Sequence, residues 1–172
     1  MITPTETSDA KHLAYMKQAL TEARKSPPAP TNFCVGAVLV NPGTDTVLAT
    51  GYTLECAGNT HAEQCCFIKY AAEHGVPEER LNEVLPERSV LYTTMEPCAL
   101  RLSGNLPCVD RISRLRKSIR AVYVGVLEPS TFVGGNAGSQ KLNDASIAVL
   151  RVVGLEDEIL TVATAGHAKK PE

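Results

Sequence analysis

One histidine and two cysteines are spaced in a way that favours a metal site. His61 is followed two residues later by Glu63, and two Pro-Cys pairs place Cys98 and Cys108 further along the chain. A catalytic Zn²⁺ ion usually keeps three protein ligands and leaves its fourth tetrahedral position to water. The pattern therefore predicts one Zn²⁺ ion per chain, bound by His61, Cys98 and Cys108. Any fold of this chain has to bring these three side chains together.

Glu63 is predicted to be the catalytic residue rather than a metal ligand. On a helix it points roughly 200° around the axis from His61, so it is poorly placed to chelate the same ion. It can still reach a water molecule beside that ion, take a proton from it and pass the proton to a leaving group. This combination of residues is typical of hydrolytic deamination.

Nine residues, 99–107, separate the two cysteines. The segment contains Ser103, Gly104, Asn105 and Pro107, which are residues that favour turns and loops. We therefore expect the two cysteines to be joined by a loop that arches beside the metal.

A structural zinc site is the alternative to a catalytic one. Structural sites normally have four protein ligands, and Cys65 is a candidate fourth ligand because it lies one helical turn after His61. A closed site of this kind would leave Glu63 without a role. Otherwise the cysteines outside the predicted site are most simply small buried hydrophobic residues, and these are Cys34, Cys56, Cys65 and Cys66.

Composition favours a single globular domain, residues 1–172, with flexible ends at 1–8 and 166–172. The chain has 172 residues, of which 44% are hydrophobic, and this is enough for an independent core. Its net charge of −2 gives no general attraction to nucleic acid. It has no run of 18 apolar residues and no apolar stretch typical of a signal peptide near its start. We therefore expect a soluble, cytoplasmic protein that binds neither nucleic acid nor membranes.

Helical and extended patterns alternate along the chain, which predicts an α/β fold with a mixed sheet and helices on both faces. The first helix is expected to be capped by Ser8 or Asp9, and another to begin at His61. We expect five strands, at 34–40, 47–52, 89–93, 121–126 and 147–153, and helices at about 9–25, 61–74, 108–117, 140–144 and 155–163.

The metal-site residues resemble the cytidine deaminase superfamily, because His-x-Glu followed by a Pro-Cys pair and a second cysteine is the signature of zinc-dependent nucleobase deaminases. The wider pattern is similar to the pyrimidine deaminase of riboflavin biosynthesis, and most closely to its free-standing fungal form. The similarity covers most of residues 10–160. It is carried by residues 32–38, by 58–63 with 96–98 and 101–108, and by 128–136 with 145–147 and 153–156.

The resemblance implies a cytidine-deaminase-like three-layer α/β/α fold around a mixed five-stranded sheet, and a homodimer. It also implies that the chain deaminates 2,5-diamino-6-ribitylamino-4(3H)-pyrimidinone 5′-phosphate to 5-amino-6-ribitylamino-uracil 5′-phosphate. Glu63 would take a proton from the attacking water and return protons to the ring nitrogen and the departing amine.

Several residues are expected to bind the substrate because of this resemblance. Asn32 would contact the base, and the backbone amide of Ala62 would hold the pyrimidine carbonyl. The phosphate needs positive charge and hydrogen-bond donors, for which Arg101, Ser103 and Asn105 are the candidates from the loop between the cysteines. Glu128 and Ser130 occupy positions where bacterial members have Asp and Asn.

Other functions remain open from the sequence. The chain could deaminate deoxycytidylate, cytidine or guanine, or could be a non-catalytic zinc module that binds a partner. A nucleic-acid base editor is disfavoured because five tyrosines, three phenylalanines and no tryptophan offer few surfaces for base stacking. Asn32 could also merely cap a turn, and Arg101 could be a solvated loop charge.

Overall fold

Six strands form one mixed sheet in the computed structural model, which describes residues 4–128 and 137–169. The described strands are β1 (Thr5–Thr7), β2 (Gly36–Asn41), β3 (Thr46–Tyr52), β4 (Ser89–Met95), β5 (Ile119–Val126) and β6 (Ala148–Val152). Their order across the sheet is β1-β6-β5-β4-β2-β3. The strands β1, β6, β5 and β4 run parallel, whereas β2 runs antiparallel to both of its neighbours. The predicted mixed sheet is therefore confirmed.

The sheet has one strand more than the five that we predicted. The additional strand is β1, which pairs in parallel with β6 at the edge of the sheet. Its sequence, Thr-Glu-Thr, has no apolar alternation that would mark it as a strand. It is held by backbone pairing and by an ion pair from Glu6 to Arg151 on β6, at 3.3 Å. Residues 5–7 are therefore part of the sheet, and the flexibility expected of residues 1–8 stays a prediction.

The α-helices among the described residues lie where the sequence predicts them. They are α1 (Ala10–Ala23), α2 (Ala62–Glu73), α3 (Cys108–Arg114), α4 (Gly138–Asp144) and α5 (Glu156–Ala163), with a 3₁₀ helix at Glu78–Glu83. Asp9 caps α1 by accepting a hydrogen bond from the backbone of Lys11 at 2.9 Å. The third helix ends earlier than predicted because the chain turns after Arg114 to enter β5. No helix in the described part of the chain is both long and apolar enough to pass through a bilayer.

The helices pack on both faces of the sheet and form two apolar cores. Neighbouring residues of a strand point to opposite faces, so Leu91 and Tyr92 of β4 enter different cores. The core around Leu91 includes Phe67 of α2, together with residues of α3 and α4. The core around Tyr92 includes Met16 of α1 and Ile159 of α5. This arrangement confirms the predicted three-layer α/β/α fold.

A glycine in β3 allows α2 to begin directly against the sheet. A Cβ atom on Gly51 would lie 2.2 Å from the carbonyl oxygen of Ala62 and 3.0 Å from the backbone nitrogen of Cys66. The first distance is too short for any Cβ atom, so this close approach requires glycine. Gly51 therefore helps to place the start of α2, where His61 and Glu63 lie.

Candidate active site and metal centre

The three predicted metal ligands meet near the carboxyl end of β4. Cys98 follows this strand by three residues, His61 is the residue that caps the start of α2, and Cys108 is the first residue of α3. Their ligand atoms all lie within 4.8 Å of one another. The Nδ1 atom of His61 is 3.5 Å from the sulfur of Cys98 and 3.4 Å from that of Cys108. One strand end and two helix starts therefore assemble the predicted ligand set.

The two cysteines are suited to bind a metal ion. The backbone N–H of Cys108 donates a hydrogen bond to the sulfur of Cys98 at 3.3 Å. Hydrogen bonding with the Cys108 thiol lowers the pKa of Cys98, helped by His61, and the same pairing raises the pKa of Cys108. Both cysteines would bind a metal ion as thiolates, so metal binding would displace their protons. One imidazole and two thiolates fit a catalytic Zn²⁺ site with an open fourth position.

Cys65 does not belong to this group. Among the described residues, the candidate metal group that includes His61 consists of His61, Cys98 and Cys108 alone. Cys65 is fully buried in α2, and its thiol interacts with that of Cys56, where it helps to raise the pKa of Cys56. The alternative of a closed, four-ligand structural site therefore lacks the fourth ligand that the sequence suggested.

Glu63 lies beside the ligand group and is only 3% exposed. One of its carboxylate oxygens accepts a hydrogen bond from the hydroxyl of Thr93 at 3.2 Å, and the other is 3.5 Å from the sulfur of Cys108. Burial raises the pKa of Glu63, and the nearby imidazole of His61 opposes this effect. A carboxylate whose pKa is raised towards neutrality exchanges protons with substrate and water more effectively.

Thr93 is a site residue that the sequence analysis missed. Its hydroxyl also lies 3.0 Å from the carbonyl oxygen of Met95, so two oxygens compete for one hydrogen atom. Thr93 is fully buried in β4 and faces α2. No short motif marks such a residue, because its contact with Glu63 joins positions that are 30 residues apart.

A pocket with a cavity volume of about 180 Å³ opens beside the ligand group. His61, Glu63 and Cys98 contribute to its lining. Four of the residues predicted to bind substrate also line it, and these are Asn32, Arg101, Ser103 and Glu128. The fold therefore brings segments that are distant in sequence together around the buried carboxylate.

Among the described residues, Ala62 and Asn105 were also predicted to bind substrate but do not line this pocket. Ala62 is fully buried as the first residue of α2, where only its backbone amide is relevant to the prediction. Asn105 is exposed, and its backbone N–H donates to the hydroxyl oxygen of Ser103 at 3.4 Å. Ser130 lies outside the described residues.

The carboxyl groups of Glu96 and Glu128 line the pocket, which therefore favours ligands that form hydrogen bonds. Glu96 is buried and is hydrogen-bonded to Ser139. Glu128 has one buried carboxylate oxygen that finds no hydrogen-bond partner among residues 4–128 and 137–169. Burial and the nearby charges of Cys98 and Glu63 raise the pKa of Glu128 to about 7. A buried polar atom without a partner is costly, so this oxygen is suited to meet a ligand group. Glu96 was missed, although it directly precedes the first Pro-Cys pair.

Arg101 is anchored inside the protein, which contradicts the alternative of a solvated loop charge. It is only 7% exposed, and its guanidinium donates to the carbonyl oxygen of Asn59 at 2.5 Å and to the side-chain oxygen of Gln64 at 3.3 Å. The same oxygen of Gln64 accepts the backbone N–H of His61 at 3.5 Å. Arg101 therefore ties the loop between the cysteines to the start of α2.

The sequence matches the family model for the cytidine and deoxycytidylate deaminase zinc-binding region over residues 9–126. This span contains the three predicted metal ligands and Glu63. The chain belongs to this deaminase family. The predicted superfamily and the predicted class of zinc-dependent deaminase are thus confirmed.

Deaminases from fungi are similar to this chain over most of its length. A structure of Aspergillus oryzae Rib2 deaminase, a C-terminal deletion mutant in complex with DARIPP, is 52% identical, with a TM-score of 0.84 and 92% of both chains covered. The diaminohydroxyphosphoribosylamino-pyrimidine deaminase of Schizosaccharomyces pombe is 39% identical over 159 residues. That match covers 92% of this chain but 36% of the relative, so the chain spans about a third of the curated protein. The predicted likeness to the fungal pyrimidine deaminase is confirmed.

A bacterial protein shares the fold at lower identity. The diaminohydroxyphosphoribosylaminopyrimidine deaminase/5-amino-6-(5-phosphoribosylamino)uracil reductase of Thermotoga maritima is 27% identical to this chain, with a TM-score of 0.69. The match covers 91% of this chain and 40% of the bacterial one. This deaminase is therefore similar to one part of a longer bacterial chain.

Proposed function

We propose that this deaminase converts 2,5-diamino-6-ribitylamino-4(3H)-pyrimidinone 5′-phosphate into 5-amino-6-ribitylamino-uracil 5′-phosphate and ammonia, in riboflavin biosynthesis. The observation that carries the proposal is the pocket in which buried Glu63 and the ligand group meet polar side chains from three separate segments. The similarity to a Rib2 deaminase that was solved with DARIPP supports the choice of substrate.

Glu63 performs the proton transfers of this reaction. Zn²⁺ held by His61, Cys98 and Cys108 would supply a Lewis acid that makes water nucleophilic near neutral pH. Glu63 takes up the two protons of the attacking water one after the other, and delivers the first to the ring nitrogen and the second to the departing amine. The hydroxyl of Thr93 holds one carboxylate oxygen, so the other remains directed to the reacting groups. Burial keeps bulk water from competing for these protons.

The pocket residues divide between the base and the phosphate. Asn32 offers a donor and an acceptor to the edge of the pyrimidine, and the amide of Ala62 is among the N–H groups that a helix start leaves without a helical partner. The buried oxygen of Glu128 accepts a hydrogen bond from an amino group of the substrate. Arg101 and Ser103 line the pocket and are the proposed phosphate-binding residues, while the backbone N–H of Asn105 donates to Ser103. Ser130 is included in this proposal as a substrate-binding residue, as the sequence predicts.

A homodimer is part of the same proposal. Two leucines of the loop between the cysteines line the pocket and are also exposed, Leu100 at 55% and Leu102 at 83%. Exposed leucine side chains of this size are unfavourable in water, and a second copy of the chain would cover them.

The second candidate is a deaminase of deoxycytidylate, which is also a small phosphorylated pyrimidine. The family model that matches this chain covers such enzymes by its description. A non-catalytic zinc module is disfavoured because the described ligand group has three members rather than four.

A substrate panel tests the proposed function. We expect the zinc-loaded chain to release ammonia from the ribitylamino substrate with a kcat/KM at least about tenfold above that for its ribosylamino counterpart, deoxycytidylate, cytidine or guanine. A tenfold preference corresponds to about 1.4 kcal/mol of selective binding, which is the scale of one buried hydrogen bond. Faster turnover of deoxycytidylate would instead establish the second candidate.

Arg101→Ala is expected to raise KM for the phosphorylated substrate by about 10- to 100-fold, because hydrogen bonds to a charged group contribute about 1.5–3 kcal/mol. The dephosphorylated substrate should show less than about a threefold change in KM. Steady-state ammonia release measures both values, and the exposed Arg116 supplies the control variant Arg116→Ala. Equal changes for both substrates would restrict Arg101 to anchoring the loop.

A further inference from the structure

His167 contacts the wall of the pocket that contains Asn32. Its Nε2 atom lies 2.8 Å from the backbone carbonyl oxygen of Asn32, which is 135 residues away in sequence. A carbonyl oxygen only accepts hydrogen bonds, so Nε2 carries the hydrogen in this contact. The imidazole also packs against Phe33, with ring centroids 5.0 Å apart. Both Asn32 and Phe33 line the pocket.

Two further contacts join the same parts of the chain. The backbone N–H of Cys34 donates to the carbonyl oxygen of Ala163 at 3.0 Å. A Cβ atom on Gly166 would lie 2.3 Å from the backbone nitrogen of Ala29, so the two backbones are in direct contact. Residues 163–167, which we call the C-terminal clasp, thus hold residues 29–34 at both ends and in the middle.

We propose that His167 is a positioning residue for substrate binding, which it serves by fixing the backbone of Asn32 and the ring of Phe33. This inference rests on the proposed function in one respect, namely that Asn32 contacts the base. It gives a role to residues 166 and 167, which lie in a segment that the sequence predicts to be flexible.

The proposal predicts an effect on binding rather than on the chemical step. Glu63, His61 and Cys108 are placed by the starts of α2 and α3, and neither helix contacts the clasp through an identified hydrogen bond among the described residues. Loss of the His167 contact would therefore leave proton transfer and metal binding intact. It would allow Asn32 to shift, and a uniform loss of binding raises KM while kcat is unchanged.

His167→Phe tests the hydrogen bond that the Nε2–H group donates to Asn32. Phenylalanine keeps an aromatic ring against Phe33 and removes the N–H group. We expect KM to rise about two- to tenfold, the scale of one net hydrogen bond, with kcat within about twofold and zinc content unchanged. His167→Gln retains an N–H donor, and its KM should lie closer to the original value than that of His167→Phe.

His74 supplies the matched control. Its Nδ1 atom is 2.9 Å from the carbonyl oxygen of Tyr70, and its ring packs against the Tyr70 ring at 4.1 Å. The two contacts resemble those of His167, but they lie at the end of α2 that is remote from the pocket. His74→Phe should leave KM unchanged. An equal rise in KM for His74→Phe and His167→Phe would overturn the proposal.

Hydrogen–deuterium exchange tests the positioning role of His167 without any substrate, so its result does not depend on which substrate the enzyme uses. In the zinc-loaded chain without substrate, His167→Phe should speed amide exchange in residues 29–35, whereas His74→Phe should not. Faster exchange there supports the positioning role whichever substrate the panel identifies. Unchanged exchange together with an unchanged KM would refute it.

Discussion

Replacing Glu63 by glutamine is expected to lower kcat by about 10²- to 10⁴-fold while the zinc content stays near one ion per chain. Glutamine has nearly the same shape as glutamate and can still accept the hydrogen bond from Thr93. It cannot take a proton from water at neutral pH, so both proton transfers of the reaction lose their carrier. The change removes proton transfer and retains the ligand group.

Ammonia release measures the kcat of this variant, and metal analysis of the dialysed protein measures its zinc content. Glu22 offers the control, because it is another buried carboxylate but lies on α1, where it pairs with Lys25 at 2.8 Å. Glu22→Gln should retain kcat. Loss of zinc from the Glu63 variant would reassign Glu63 as a ligand, and activity within about tenfold of the original would remove it from the chemistry.

Replacing Cys108 by serine is expected to weaken zinc binding by more than about 100-fold and to abolish ammonia release. Loss of a residue that only supports a metal ligand already costs about 10- to 100-fold, and Cys108 is itself a predicted ligand. Serine keeps the size of the side chain but replaces a thiolate by a neutral hydroxyl, which is a poor partner for Zn²⁺. The backbone N–H of residue 108 would still reach the sulfur of Cys98.

Competition with a chromophoric chelator measures the zinc affinity of this variant. Cys65→Ala is the matched control, because Cys65 is equally buried and lies in α2 but outside the ligand group. We expect Cys65→Ala to bind zinc as the unaltered chain does. If Cys65→Ala loses zinc and Cys108→Ser retains it, the assignment of the ligands is wrong.

The grouping of His61, Cys98 and Cys108 could be predicted from the sequence because each is marked by its chemistry and by its immediate neighbours. His61 stands where α2 begins, Cys108 begins α3 directly after Pro107, and Cys98 likewise follows a proline. Helix and strand periodicity likewise predicted the layers of the fold, because burial of one face leaves a repeat in the sequence.

Contacts between distant segments were not predictable in this way. The strand β1 has a polar sequence and depends on pairing with β6, whose position is set by the rest of the sheet. Thr93 contacts Glu63 across 30 residues and His167 contacts Asn32 across 135, and one polar residue leaves no periodic pattern. The sequence suggested a phosphate-binding role for Arg101. Its burial against Asn59 could not be predicted, because it follows from the path of the whole loop.

Deamination in oxygen-18 water tests the central claim most directly, namely that the pocket beside His61, Cys98 and Cys108 hydrolyses an amino group with Glu63 as proton carrier. The zinc-loaded chain should release ammonia from the ribitylamino substrate in equal amount to a uracil product that carries the label on its new carbonyl oxygen. The Glu63→Gln chain, with the same zinc content, should form neither product at a comparable rate. Ammonia release without label in the product, or no release from any pyrimidine of the panel by the zinc-loaded chain, would contradict the account.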